Sequence, residues 1–178
     1  MNTFIALLRG INVGKAKRIA MADLRAMLEA LGHHNPRTLL NSGNAVFESS
    51  QSDCAAMAKE LEAAITAGAG FSCAVVVISA ADLNAIAAQN PLLDRVTDPS
   101  RHLVAFTASA TNLPLAQPLL EPDWSPDAVA IGAQAIYLWC EVGILDSKIL
   151  PAFNKLTKEA FTTRNWATVL KLQEMVAV

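Results

Sequence analysis

The sequence predicts an α+β fold, and three observations carry that prediction. Apolar runs of strand length recur along the chain, at residues 3–8, 71–78, 102–107 and 135–139. Between them lie segments whose apolar residues fall at helical spacing. Two turn signals, Asn41-Ser42-Gly43-Asn44 and Gly132-Ala133-Gln134, add hairpins to the alternation. With 178 residues, 53% hydrophobic and 17% charged, the chain suits one compact domain or two small subdomains sharing a core.

Taken in order, residues 3–8 are an almost wholly apolar strand that must be buried on both faces, and it runs into a loop bracketed by Gly10 and Gly14. Met21, Leu24, Met27, Leu28 and Leu31 then mark an amphipathic helix stopped by Gly32. A short strand over residues 38–40 pairs across the turn with residues 45–48. Ser52 and Asp53 are placed to cap a second helix through about residue 67, with Met57, Leu61 and Ile65 inward. Residues 71–78 form the next strand, so the first half reads β-α-β-β-α-β.

Ser79 and Asp82 resemble a capping box for a third helix, which Pro91 blocks after Asn90. A strand follows over residues 102–107. Residues 111–126 carry Pro114, Pro118, Pro122 and Pro126 and read as loop with at most one helical turn. The hairpin 129–131/135–139 comes next, then a helix capped by Asp146 and running to about residue 156. The last helix is expected from Arg164, packing Trp166, Val169, Leu170 and Leu172. The second half thus echoes the first in pattern without a residue-level repeat. The economical architecture is two linked ferredoxin-like halves, residues 1–78 and residues 79–178 with the C-terminal helix, sharing one compact core. A single larger α+β sheet is the alternative.

Composition excludes several function classes. No apolar run approaches the roughly 18 residues of a membrane span, and Arg9 ends the N-terminal apolar stretch too early for a signal peptide. A soluble, cytoplasmic protein is the expectation. A net charge of −2 and a pI near 5.9 disfavour a dedicated nucleic-acid binder, though a local basic patch is compatible with both. Cys54, Cys73 and Cys140 are three and widely spaced, which indicates neither a disulfide framework nor a zinc site and suits buried thiols. His33 and His34 are neighbours whose side chains diverge on regular structure, and His102 stands alone, so no metal and no cofactor is expected.

The stretches that could carry chemistry sit at element ends. In loop 10–18, two glycines let backbone N–H groups approach an anion, and Lys15, Lys17 and Arg18 add positive potential. The spacing matches no nucleotide motif, and an ordinary glycine turn with a solvated basic edge accounts for it as well. Asn41-Ser42-Gly43-Asn44 is explained as a turn, and Ser42 lacks the elbow of a nucleophile. Ser147 and Lys148 lie at an expected helix start, where free N–H donors and a point charge suit an anion; capping suits them too. Thr162-Thr163-Arg164-Asn165-Trp166 offers hydroxyls and a guanidinium fork at another expected helix start, and is equally a capping sequence. Phe4 and Phe47 are thin candidates for base stacking on strands, without the glycine-aromatic motif that RNA recognition on this kind of sheet requires.

Four of these stretches, Ala6-Leu-Leu-Arg-Gly-Ile-Asn-Val-Gly14, Leu40-Asn-Ser-Gly-Asn44, Ser147-Lys148 and Thr163-Arg-Asn-Trp166, together resemble the bacterial family catalogued as domain of unknown function 1697. The resemblance covers essentially the whole chain. It implies an α+β fold with two ferredoxin-like repeats and brings no activity or catalytic residues with it. Two departures stand out: Lys15 where the family often has another glycine, and Leu39-Leu40 in place of a more usual aromatic-containing pair.

The resulting expectation is a protein that binds a small anionic, phosphate- or nucleotide-like ligand at a cleft formed by loop 9–14 and helix N-termini. Arg9, Asn12, Lys15, Ser147, Lys148, Thr163 and Arg164 would supply its donors. The alternatives are an enzyme acting on such a substrate, with Asp23, Glu141 or Asp146 as base, and a nucleic-acid or protein interaction module.

Overall fold

The N-terminal apolar run becomes strand β1 (Asn2–Leu8), whose residues Phe4 to Leu8 are all at most 3% exposed. Burial on both faces was expected of so continuous an apolar strand, and it holds. The computed structural model describes residues 1–177 and divides into two compact units, Met1–Ala81 with the last residues from Glu174, and Asp82–Gln173.

In the first unit β1 is followed by α1 (Met21–Ala30), β2 (His34–Leu39), β3 (Asn44–Ser49), α2 (Cys54–Ala69) and β4 (Val75–Ser79). The sheet runs β2-β3-β1-β4 with every neighbouring pair antiparallel. One of its faces packs Phe4, Ala6, Leu8 and Phe47 against Leu24 and Leu28 of α1 and Leu61 and Ile65 of α2. Helix α1 has only 10 residues, and its N-cap, Ala20, contributes no side-chain hydrogen bond. Such a helix is marginal alone, so burial of Leu24 and Leu28, at about 1.5–3 kcal/mol each, is what holds it. Helix α2 is better specified locally: Asp53 accepts from the Ala56 N–H at 3.0 Å, and Gly70 ends it at φ +77°.

The second unit takes in most of α3 (Ala80–Ala88), then β5 (His102–Phe106), a 3-10 stretch (Ala110–Leu120), β6 (Ala128–Ile131), β7 (Ala135–Trp139), α4 (Ile149–Thr157), β8 (Thr162–Asn165) and most of α5 (Trp166–Val176). Its sheet runs β6-β7-β5-β8, again antiparallel throughout. Leu103, Ile136 and Leu138 pack there with Leu113, Leu119, Ile149, Phe153 and Phe161. The fold is therefore mixed α+β with two four-stranded sheets. Among the described residues no helix is long and apolar enough to cross a membrane.

Several local expectations are corrected. Strand β2 begins at His34 rather than residue 38, and its register shifts between His34 and Arg37, where Pro36 cannot donate to the ladder. Residues 110–120 are continuous 3-10 helix rather than loop, with Pro114 and Pro118 inside it. Asp146 does not cap α4; Lys148 stands at that position and the Ser147 hydroxyl accepts from the Ile149 N–H at 3.3 Å. Most consequentially, residues 162–165 are not the approach to a helix. They pair with β5 from Phe106↔Thr162 to Leu103↔Asn165, so Thr163 and Arg164 lie on a strand, and α5 starts at Trp166.

Candidate functional site

Beyond β1 the chain passes through four left-handed residues, Gly10, Asn12, Gly14 and Lys17, before entering α1. Asparagine is among the few side chains that accept this conformation readily, because it bonds locally. Asn12 does so with its whole side-chain amide and its backbone N–H. Its Nδ2 donates to the carbonyls of Ile19 (2.9 Å) and Asn41 (2.7 Å), and its Oδ1 accepts from the Ile19 N–H (2.9 Å). Its backbone N–H reaches the Lys17 carbonyl at 2.9 Å. One residue thus closes the loop on itself and ties it to the β2–β3 turn.

That turn is shaped to receive it. A Cβ on Gly43 would stand 2.7 Å from the Leu8 Cβ and 2.9 Å from the Ile11 Cδ1, and the residue sits at φ +87°. Only glycine meets both demands. The buried Asn44 donates through Nδ2 to the Leu39 carbonyl (2.9 Å) and the Ser42 hydroxyl (3.0 Å). The turn sequence and the loop sequence are therefore one assembly.

A cleft of about 410 Å³ opens on this assembly, lined by Asn12, Arg18, Ile19, Ala20 and Asn41. Arg18 is exposed, and its Nη1 donates to the Gly14 carbonyl at 2.9 Å, which orients the guanidinium along the loop. Ala20 brings the start of α1 to the same cleft. No side chain caps it, so first-turn N–H groups are left for a ligand, although Asp23 in the same turn offsets part of the positive end of the helix. A second cleft, of about 580 Å³, adjoins it through Arg18 and Ile19 and extends along α1 and α2 past Asp23, Met27, Ala30 and Ala69.

The residues expected to bind divide between the units. Arg9, Asn12 and Lys15 are in the first: Lys15 is exposed on the loop, and the Arg9 N–H is bonded to the Ala74 carbonyl at 2.9 Å. Asn12 lines the cleft with its amide already engaged. Arg18, absent from the expected donor set, is the cation that lines both clefts; its place in the basic run after Gly14 was the available signal. In the second unit Ser147 is 3% exposed and donates to the Asp127 carboxylate at 2.7 Å, whose other oxygen accepts from the Glu141 N–H at 2.8 Å. Arg164 is buried and donates to the Thr162 hydroxyl (2.9 Å) and the Thr163 carbonyl (2.8 Å). Lys148 is exposed.

His33 and His102 serve packing, and His34 is exposed. His102 is fully buried between the Leu138 carbonyl (Nδ1, 3.0 Å) and the Asn90 amide (Nε2, 2.7 Å), with the Trp166 ring tilted against it at 5.5 Å between centroids. Nδ1 must donate to the carbonyl, so Nε2 accepts from Asn90 and the ring is neutral. Burial pushes its pKa down to about 4, opposed weakly by the Leu138 bond. His33 rests on Phe47 at 4.7 Å, with Nδ1 3.2 Å from the Ser49 hydroxyl, and burial lowers its pKa too. Cys73 and Cys140 are buried and Cys54 half-buried. Among the described residues no three His, Cys, Asp or Glu side chains gather as a metal site.

Comparison with known proteins places the chain. In overall structure it is similar to the conserved bacterial protein SP0830 from Streptococcus pneumoniae, with a TM-score of 0.75 over 98% of each chain at 23% identity. That likeness speaks to the fold alone. No curated protein matches. The family described as "Protein of unknown function (DUF1697)" matches residues 1–137, which takes in the loop, the β2–β3 turn and both clefts. This chain belongs to the DUF1697 family.

Proposed function

We propose that the protein binds a small phosphate-like anion in the cleft between the residue 10–18 loop and the start of α1. One observation carries the reading: Arg18, the uncapped helix terminus at Ala20 and the Asn12–Asn41 clasp all border one cleft. A guanidinium and first-turn N–H groups are complementary to an oxyanion, and a pinned loop loses little entropy on binding. Arg9 and Lys15 flank the loop and raise its potential, while Asn12 acts by holding the loop in shape. Ser147, Lys148, Thr163 and Arg164 belong to the second unit, and the bonds of Ser147 and Arg164 support a role in bracing it.

The strand orders β2-β3-β1-β4 and β6-β7-β5-β8 support reading each unit as a ferredoxin-like half, with the 3-10 stretch standing for the first helix of the second half. An enzyme reading has one observation in its favour: Asp23, a carboxylate, lines the adjoining cleft together with Arg18.

Titration calorimetry with inorganic phosphate tests the proposal. Binding that Arg18→Ala weakens at least about tenfold, a loss of about 1.4 kcal/mol, is expected. Wild-type affinity in Arg18→Ala, or no phosphate binding at millimolar concentration, would reject it.

A further inference from the structure

Resting on that reading of the anion cleft, we infer that the ligand is a nucleoside monophosphate rather than a bare anion. The two adjoining clefts differ in lining. The first presents Asn12, Arg18 and Asn41; the second presents Ala26, Met27, Ala30, Gly68 and Ala69, with Asp23 as its acidic group. They meet at Arg18 and Ile19, so one molecule reaching across this boundary passes from a cationic to an apolar setting.

The dimensions argue in the same direction. A space of about 410 Å³ continued by about 580 Å³ is of the size that holds an organic ligand, far more than an oxyanion fills. The second cleft stays open because α1 and α2 face it with small residues. Even so it is not bland, because the half-buried Met27 supplies a thioether, which packs favourably against an aromatic ring. Asp23, one turn ahead of Met27 on α1, accepts hydrogen bonds and supplies none, which suits the hydroxyl pair of a ribose. Phosphate at Arg18, ribose at Asp23 and base on Met27 is the assignment these linings favour, in the order the three residues follow along the chain. A simple alkyl phosphate would leave Asp23 without a role.

The test compares AMP, adenosine, octyl phosphate and inorganic phosphate by calorimetry on the full chain, with Arg18→Ala, Asp23→Asn, Ala30→Leu and Ala26→Leu. Ala26 and Ala30 are exposed and one helical turn apart, so the leucines fill the cleft without disturbing the core, and either suffices if the other is poorly folded. AMP should bind at least about tenfold tighter than phosphate or adenosine. Each leucine should bring AMP down to the level of phosphate while leaving phosphate unchanged, and Asp23→Asn should weaken AMP and spare octyl phosphate.

Equal affinities for AMP and phosphate would overturn the inference and leave the anion site standing. Tight AMP binding indifferent to both leucines would overturn it as well, because the base would then lie elsewhere. Octyl phosphate matching AMP, with no effect of Asp23→Asn, would replace the nucleotide by a general amphiphile. Binding of neither phosphate nor AMP would remove the anion site and the inference together.

Discussion

The two units build the same sheet from different connections. Both place the hairpin strands at one side and the last strand at the other, beside the first: β2-β3-β1-β4 and β6-β7-β5-β8. In the first unit residues 9–20 separate the opening strand from a true α-helix; in the second, residues 107–109 lead directly into a proline-containing 3-10 stretch. The short connection has no length for a cleft, and its polar groups serve the chain: the Asn112 amide donates to the Thr107 hydroxyl at 2.8 Å. The long connection needs an internal clasp, Asn12, and with it comes a surface with cations around it. Shared topology therefore says little about where a ligand would go, and loop length says a good deal.

The largest effect expected is on the second unit and is driven by pH. His102 falls from its ordinary 6.5 to about 4 in the folded chain, so unfolded chains take up a proton that folded ones refuse between those values. Its contribution is fully present above about pH 6.5 and is lost as pH falls toward 4, about 3 kcal/mol in all. Urea unfolding followed across that range should show a steep decline in wild type and a shallower one in His102→Asn. Equal slopes would mean that this ring does not couple folding to protons. His33, lowered in the same direction by burial, keeps a residual slope in the variant and is the counterpart in the first unit.

Breaking the clasp comes next. Asn12→Ala removes three side-chain hydrogen bonds, part-buried or exposed, and puts alanine at φ +54°. A loss of about 2 kcal/mol is expected, with phosphate binding reduced although the amide has no proton left to donate to a ligand. Thermal unfolding and calorimetry on the same preparation check both, and unaltered binding would show that the cleft does not need the clasp. The smallest effect sharpens the comparison in the opposite sense. Leu40 holds φ +58° in the turn that receives the loop, 54% exposed. Leu40→Asn should stabilise by up to about 1 kcal/mol by relieving that conformation, read as a raised unfolding midpoint. A lowered midpoint would point to a contact made by the leucine itself.

Much of this was legible in the chain. The continuous apolar run of β1 required two buried faces, Asp53 announced α2, and Asn41 to Asn44 announced a turn. The departures came where local signals had more than one meaning. Thr162 to Asn165 has the hydroxyls and asparagine of a helix cap, and Asn165 does cap α5, accepting from the Thr168 N–H at 2.9 Å; the residues before it were free to be a strand once β5 offered an edge. Pro114 and Pro118 ruled out an α-helix, yet 3-10 geometry accommodates them when Leu113, Ala116 and Leu119 have a core to enter. Ser147 and Arg164 looked like donors because sequence shows side chains and not their partners.

By itself the sequence determined every strand but β8, the helices with strong caps and the loop that bends on glycine, because those rest on periodicity and on backbone conformations few residues adopt. It also determined family membership. The tertiary structure alone decided which polar groups are spent and which are offered. Asn12 is consumed by a residue 29 positions away, and Arg18 gains a cleft only because α1 and the β2–β3 turn arrive beside it. A hydrogen bond is a fact about distance in space, and separation along the chain does not report it.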